Sequence, residues 1–470
     1  MKKRICVALL IFLFSAFFVS AREIGLMDYL ELVEKTHPFF TKEELSVLIE
    51  EKGAEGLLGA QDWLFNVTPS YSFLGEASAP EKGGQKRIHQ MELSAGLNRA
   101  LWSTGGRLGL GFSSGYTDSD SALGKYFKHG FSASYTHPFV KNVKGALDRL
   151  DYELSDYTID LTRVQVEENK EGFLLDAAVR FLDWVYYTEA VRIAEERLAL
   201  AREQLEQTEK KYKANLVDKV DVLRAEDAVR IADQVLLQLQ AQWKSKQAEL
   251  ATLASSEDIY VQSPRYDLYH LEQLPKREKA ISTLHGQSRV LNTFDILKEQ
   301  LTSQREGIVE QGRAQVDLTL AGGIFGRDEK FGDSLAIYNP DASVSLVYIK
   351  PFGNRTVKSQ IEEIDLSIRQ IEEEKKSTAI SLESSLISLL IQIAEFEKIL
   401  ALNQAQIKSA EEKTKEEIIL YNRGRGQLTF VIQSRDNEEN AKLTYAENAA
   451  LYHSLLFQYR ALLDELYRSE

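Results

Sequence analysis

The side chains capable of metal, nucleophilic or redox chemistry are scattered along this sequence and do not form a recognisable site. The seven histidines occur singly, and none has the His-x-x-x-His or His-Glu-x-x-His spacing that places two metal ligands on one helix face. His137, beside Pro138, lacks a partner at such a spacing. The single cysteine, Cys6, lies in an N-terminal apolar run, so disulfides and thiolate metal sites are excluded from the rest of the chain. The pattern therefore predicts a protein that is not an enzyme and that binds no metal and no cofactor.

A glycine-rich stretch at 105–111 is the segment that most resembles a phosphate-binding loop. Its glycines do not follow the GxGxxG spacing, and its apolar and polar residues alternate as they do in a strand. The chain also carries a formal net charge of −14, whereas proteins that bind nucleic acid need a basic surface against the phosphates. We therefore expect neither a nucleotide site nor a nucleic-acid partner.

The N-terminus has the composition of a secretory signal peptide. Lys2, Lys3 and Arg4 precede an apolar run, and small residues at 19–21 offer a cleavage site. An uncleaved anchor helix is the alternative, but the apolar run is shorter than the roughly 20 residues that a membrane-spanning helix needs. No later stretch approaches that length, so we expect an exported chain that enters a membrane, if it does so, as a closed β-barrel.

Alternating apolar and polar residues predict strands in two separate regions. The pattern indicates four strands at about 64–139 and two strands at 316–350, with polar loops near 76–87 and 117–129. Six strands are too few to close a barrel, since the smallest membrane barrels have about eight. Several copies of the chain must therefore share one barrel.

Each strand region ends in a Pro-Phe pair and is followed by a long helical pattern. The pairs are Pro138-Phe139 and Pro351-Phe352, and the helical runs that follow them are about 70 residues long. At about 1.5 Å per residue such helices reach on the order of 100 Å, so they must pack side by side as coiled coils. The two halves of the chain therefore repeat one plan of strands, junction, long helix, turn and return helix.

These patterns predict an α+β membrane protein with long antiparallel coiled-coil hairpins and a transmembrane β-barrel shared between protomers, built from two internal repeats. The predicted segments are a signal peptide at 1–21, a first repeat at 22–255, a linker at 256–285 and a second repeat at 286–470. The first repeat contains short helices, four barrel strands at about 64–139, a long helix at 145–213 and a return helix at 219–255. The second repeat contains a helix at 287–313, two strands at 316–350, a long helix at 355–421 and a return helix at 428–467.

The turns between the long and return helices carry similar motifs. The first contains Tyr212 and Asn215, and the second contains Tyr421 and Gly424. Asparagine and glycine tolerate the left-handed backbone conformation that commonly ends a helix. We therefore expect Asn215 and Gly424 to adopt it.

The two junctions and the two turns in register resemble the TolC-type outer-membrane factors, the exit ducts of tripartite efflux pumps and type I secretion systems. The first tip motif, Tyr212-x-x-Asn215 followed by Asp221-Val222-Leu223, is the more typical, although the family usually has glycine at the position of Asn215. The resemblance spans about 24–467. It implies a homotrimer in the outer membrane with a helical domain in the periplasm, an inner-membrane pump, and a periplasmic adaptor (membrane fusion) protein.

The resemblance also implies a passive channel, and it leaves the barrel size open. Related channels usually have two strands per repeat and a barrel of twelve strands. The extra hairpin in the first repeat would give eighteen strands if it joined the barrel wall, or it would fold outside the membrane. Outer-membrane lipid would contact the barrel. The exported substrate, the pump and the adaptor are not indicated by any residue.

Family members close their periplasmic end with contacts at the helix tips, which implies tip or gate roles for Tyr212, Asp221 and Tyr421. Where the family has aspartates beyond the second turn, this chain has Phe430 and Gln433. Phe430 would form an apolar constriction or ordinary interhelix packing. Arg423 and Arg425 would bind an acidic adaptor surface, pair with Asp221, or remain solvated.

Two other classes of protein remain open on the sequence alone. A periplasmic adaptor or structural coiled-coil protein would combine helical hairpins with a small soluble β-domain, and a trimeric surface adhesin is a weaker possibility. The duplication favours the channel, because an adaptor needs only one hairpin.

Overall fold

The computed structural model describes residues 22–75, 87–119 and 124–467, so the predicted signal peptide at 1–21 lies outside the described residues. The chain divides into two compact units. The first comprises Met1–Lys42, Glu167–Ser288 and Ser381–Glu470, and the second comprises Glu43–Val166 and Arg289–Ile380. None of the helices in the described ranges is both long enough and apolar enough to cross a membrane.

Helices account for most of the described ranges. In chain order the elements are β1 (Arg22–Gly25), α1 (Leu26–Thr36), α2 (Pro38–Leu57), β2 (Leu64–Leu74), β3 (Ile88–Leu101), β4 (Gly106–Ser119), β5 (Lys125–Pro138), α3 (Leu150–Lys213), α4 (Lys219–Leu253), β6 (Gln262–Arg265), α5 (Arg277–Gln287), α6 (Arg289–Gln311), β7 (Gln315–Asp328), α7 (Phe331–Ser334), β8 (Asn339–Ile349), α8 (Arg355–Asn422) and α9 (Leu428–Leu462).

The second unit contains a six-stranded antiparallel sheet in the order β2-β3-β4-β5-β7-β8. Four of its strands come from the first predicted strand region and two from the second. The β3–β4 hairpin lies in the middle of this sheet, where β3 pairs with β2 and β4 pairs with β5. The extra hairpin of the first region is therefore part of the sheet and does not fold outside it.

The register of the strands gives the sheet one apolar and one polar face. Val67 pairs with Ala95, which pairs with Phe112, so side chains of one type lie in rows across the strands. The polar face is rich in glycine and serine. Residues of the apolar face include Phe65, Val67, Tyr71, Met91, Leu93, Leu110, Phe112, Phe131, Leu320, Ile324, Val344 and Leu346. Residues of the polar face include Thr68, Ser94, Gly96, Gly111, Ser113, Ser132, Ser134, Thr319, Ser343 and Ser345.

The two edge strands of this sheet are exposed along their length. Every residue of β2 is exposed, and so is every residue of β8 after Asn339. Each edge carries backbone N–H and C=O groups with no neighbouring strand in the described part of the chain. Such edges favour pairing with another strand.

The first unit has its apolar core among α1, α3, α4, α8 and α9. Tyr29, Phe181, Trp184 and Tyr452 are each fully buried in it. Burying an apolar side chain of this size stabilises a fold by about 1.5–3 kcal/mol. The short parallel pair of β1 and β6 also belongs to this unit, and it ties the first described residues to the segment that follows α4.

Contacts between α3 and α4 show that the predicted antiparallel hairpins are correct. The Lys246 ammonium lies 2.8 Å from an Asp183 carboxylate oxygen, and the Trp243 indole donates to the Thr188 hydroxyl at 2.9 Å. Residue numbers therefore rise along one helix as they fall along the other. The same holds for α8 and α9, where the Asn448 amide donates to the Asn403 side-chain oxygen at 2.8 Å and the Lys442 ammonium lies 3.1 Å from a Glu411 carboxylate oxygen.

The first long helix begins later than the sequence pattern predicts. A helix was expected from 145, but α3 starts at Leu150. Asn142, Lys144 and Gly145 all have positive φ, which is incompatible with a right-handed helix. The linker expected at 256–285 likewise contains most of α5, which ends at Gln287.

Candidate gate at the helix tips

The turn between α3 and α4 is a Schellman motif centred on Asn215. The Leu216 amide donates to the Lys211 carbonyl at 2.9 Å, and the Asn215 amide donates to the Tyr212 carbonyl at 2.9 Å. Asn215 has a φ of 54°, the left-handed conformation that this motif requires. The helix thus ends with its last carbonyls satisfied.

The turn between α8 and α9 has the same backbone hydrogen bonds. The Arg425 amide donates to the Leu420 carbonyl at 2.9 Å, and the Gly424 amide donates to the Tyr421 carbonyl at 3.1 Å. Gly424 has a φ of 71°. The left-handed conformations predicted at Asn215 and Gly424 are therefore confirmed. Counting from these two residues, Tyr421 corresponds to Tyr212 and Phe430 to Asp221.

The two corresponding tyrosines have different surroundings. Tyr212 is 41% exposed, whereas Tyr421 is 7% exposed and packs with Ala225, Leu428 and Val431. The Lys211 ammonium lies 3.8 Å from the centroid of the Tyr421 ring. Burial raises the pKa of the Tyr421 hydroxyl and lowers the pKa of Lys211. The second tip is thus anchored on the first hairpin through its tyrosine.

Asp221 and Phe430 also differ in what they contact. A carboxylate oxygen of Asp221 lies 3.1 Å from the Arg224 guanidinium, one turn along the same helix. Phe430 is 47% exposed and lies outside the apolar cluster formed by Ala225, Tyr421 and its neighbours. The exposed phenyl ring at the start of α9 can therefore contact atoms outside this chain.

Arg423 and Arg425 are exposed and form no ion pair within the described ranges. Within the described ranges Asp221 pairs with Arg224 instead, so a contact of Arg423 or Arg425 with Asp221 stays a prediction. Arg423 lines a groove of about 620 Å³ between the two turns, together with Lys211 and Tyr421. Arg423 therefore presents a guanidinium with no ion-pair partner in the described ranges to this groove, which Asp218 and Asp221 also line.

Above the tips, charged side chains link α3 to α9, and the sequence pattern does not indicate this contact. The buried Arg197 guanidinium lies 2.5 Å from a carboxylate oxygen of Asp436 and 3.7 Å from one of Glu439. The Arg435 guanidinium donates to the Leu200 carbonyl at 2.6 Å. Burial raises the pKa of Glu439 and lowers that of Arg435. No local pattern relates Arg197 to Asp436, because the two residues are 239 positions apart.

The two strand–helix junctions lie in the second unit and are also unequal. Pro138 ends β5 opposite Asp317, and the Phe139 amide donates to the Val316 carbonyl at 2.8 Å. At the second junction Pro351 follows β8, and Phe352 is 95% exposed. The first junction is therefore held to the sheet by a hydrogen bond, while the Phe352 side chain is almost fully exposed.

A cluster of acidic side chains occurs in the first unit. Glu168, Glu171 and Asp464 place carboxylate oxygens within 4.8 Å of one another. Glu171 accepts a hydrogen bond from the Leu466 amide at 2.9 Å, which is a structural contact between α3 and the residues after α9. One of the three carboxylates thus already binds a backbone amide, and the cluster by itself does not indicate a metal site.

Comparisons with known proteins place the fold among outer-membrane channels. No family model matches the chain, and no curated protein matches its sequence. The outer-membrane channel OprN superposes with a TM-score of 0.67 at 12% identity, covering 94% of this chain and 90% of that one. CusC superposes with a TM-score of 0.67 at 10% identity, covering 93% and 91%. The Campylobacter jejuni CmeC outer-membrane channel gives 0.63 at 13% identity, covering 94% and 86%. The resemblance found in the sequence is confirmed at the level of structure: this chain has the fold of the outer-membrane channel proteins.

Proposed function

We propose that the protein is the outer-membrane channel of a tripartite efflux pump or type I secretion system, and that it conducts substrates passively from an inner-membrane pump to the exterior. The observation that carries this proposal is the six-stranded sheet with one apolar face, one polar face and two exposed edges. A water-soluble β-domain would cover its apolar face with a protein core. Here large side chains on that face, such as Val344 and Leu346, are exposed.

The open edges support a homotrimer. In an antiparallel sheet of six strands, β2 and β8 run in opposite directions, so β8 of one copy can pair with β2 of the next in the same antiparallel sense. Three copies would close a barrel of eighteen strands with no free edge. The position of β3 and β4 inside the sheet favours eighteen strands over twelve.

The apolar face would then contact outer-membrane lipid. Its aromatic residues lie near both ends of the strands, with Tyr116 beside Phe127 at one end and Tyr135 beside His137 at the other. Leu110 and the neighbouring rings of Phe112 and Phe131 lie between them. Membrane barrels have this arrangement, an apolar band bounded by aromatic girdles at the two interfaces. The polar face, lined by glycine and serine, would surround the aqueous lumen.

The helical hairpins would lie in the periplasm, with their tips toward the pump. The exposed Arg423 and Arg425 would contact an acidic surface of the periplasmic adaptor protein, since exposed guanidinium groups bind carboxylates in bidentate geometry. Energy would come from the pump, because the sequence has no nucleotide-binding motif. Phe430 of each copy would line the narrow end of the duct and exclude water from it.

The test combines channel recording with cross-linking between edge strands. Each variant of a series carries one cysteine in place of Val67 in β2 and a second cysteine at one position of β8. Disulfides between copies should form at a limited set of β8 positions and give a trimer on a denaturing gel. A cysteine replacing Leu110 in β4 is the matched control, because it lies on the same face but inside the sheet, so it should give none. In planar bilayers the protein should give discrete conductance steps. A monomer that is water-soluble without detergent, with no steps and no cross-link, would favour a periplasmic adaptor instead.

A further inference from the structure

Two cations face each other on the polar face near the loop ends of the strands. Lys128 of β5 pairs directly with Arg327 of β7, so their side chains leave the sheet side by side. Both side chains are exposed. Like charges at directly opposite positions destabilise an antiparallel pair. The two cations therefore do not stabilise the sheet, and they lie side by side in a chain whose net charge is −14.

Aromatic rings rather than carboxylates hold these two cations. The Lys128 ammonium lies 4.6 Å from the centroid of the Phe325 ring, and the Arg327 guanidinium carbon lies 3.7 Å from that of Tyr126. Neither cation forms an ion pair within the described residues. At an exposed site such a cation–π contact contributes only about 0.5–1 kcal/mol. The rings thus lie against the cations, whose N–H donors bind no carboxylate in the part of the chain that the structure describes.

A neighbouring lysine shows the contrast. Lys125 lies three residues before Lys128 on the same strand but on the apolar face, and its ammonium is 2.9 Å from the carboxylate of Asp118 directly opposite. Lys128 instead has Gly115 opposite it on β4. Glu92, the next residue in that row on β3, is not within ion-pair distance. Because the intervening residue is glycine, no side chain separates Lys128 from Glu92.

We propose that Lys128 and Arg327 form a binding site for anionic groups on the polar face of the sheet. A guanidinium fork beside an ammonium group matches a carboxylate, phosphate or sulfate. The inference rests on the proposed function, since three copies sharing a barrel would place three such sites around its lumen. The two cations of each copy would share this face with the single carboxylates of Glu92 and Asp341, so they would give the loop end of the lumen local groups that attract anions although the chain as a whole is acidic.

The experiment measures reversal potentials in a KCl gradient across bilayers of neutral lipid. Replacing both cations, K128Q with R327Q, should lower the chloride-to-potassium permeability ratio by about a factor of two or more. The exchange variant K128R with R327K should keep the wild-type ratio, and E92Q should raise it. K125Q is the matched control, because it also removes one lysine charge from β5 but on the opposite face, and it should leave the ratio unchanged.

An intact channel whose permeability ratio is the same in wild type and in K128Q/R327Q would overturn this inference and leave the channel function standing. Failure of the wild-type protein to conduct would instead count against the proposed function. The anion site is then tested by itself, through binding of the trisulfonate dye pyranine to detergent-extracted protein at low salt. We expect K128Q/R327Q to lose most of the binding. Equal binding by wild type and the double variant would overturn the site.

Discussion

At the first helix tip Tyr212 is 41% exposed and Asp221 pairs with Arg224, whereas at the second tip Tyr421 is buried and Phe430 is exposed. The backbone hydrogen bonds of the two turns are nevertheless the same. A left-handed residue and a fixed turn length are enough to determine the backbone. The side chains decide which tip packs against its neighbour and which is free to contact another molecule.

Side chains of the second tip contact residues of the first hairpin. Tyr421 packs on Ala225, and Asn422 accepts a hydrogen bond from the Lys211 ammonium at 2.9 Å. Tyr212 is instead approached by Lys219 of its own hairpin, with the ammonium 5.8 Å from the ring centroid. Opening of the tips would therefore have to break the contacts of Tyr421 but not those of Tyr212.

The largest difference between the tips should appear when each tyrosine is truncated. Y421A removes a buried ring and leaves a cavity, which costs about 3 kcal/mol or more for large aromatic residues. Y212A removes a half-exposed ring and should cost less than about 1 kcal/mol. The measurement is amide hydrogen exchange at 417–432, which should accelerate strongly in Y421A and little in Y212A. Equal acceleration in the two variants would show that the tips are equivalent and that the comparison fails.

Substitutions of the left-handed residues in the two turns should give a smaller difference in stability between the tips. G424A adds a Cβ at a φ of 71°, and such a residue in the left-handed region costs about 1–2 kcal/mol. N215G removes a Cβ from the same conformation and should change stability by only a few tenths of a kcal/mol. The readout is the thermal midpoint of the detergent-extracted protein. If G424A were as stable as wild type, the second turn would have to tolerate another backbone conformation.

Much of the architecture could be predicted because it depends on local periodicity. The pattern indicates a long helix at 355–421, and the structure has it at Arg355–Asn422. The left-handed residues could be located because asparagine and glycine have a specific conformational preference at helix ends. The pattern places the start of α3 too early, because apolar periodicity does not take account of Gly145, which has the left-handed conformation that glycine tolerates.

What could not be predicted depends on contacts between distant segments. Tyr212 and Tyr421 occupy the same position of the same motif, so only the packing of one hairpin on another distinguishes them. Arg197 and Asp436 are 239 residues apart, and nothing local indicates that they meet. The place of the β3–β4 hairpin in the sheet is a similar case, because alternation predicts a strand but does not determine its neighbours.

The smallest expected effect concerns Phe430, because its side chain is about half exposed and lies outside the apolar cluster at the tips. If three copies of this ring narrow the duct, F430A should widen the constriction and raise the single-channel conductance, while thermal stability changes by less than about 1 kcal/mol. L223A is the matched control, since Leu223 is an apolar residue near the start of α4 with the same 47% exposure. It should leave the conductance unchanged if the first tip does not line the narrow end. A rise in both variants would mean that both tips border the constriction, and a rise in neither would mean that Phe430 only packs against a neighbouring helix.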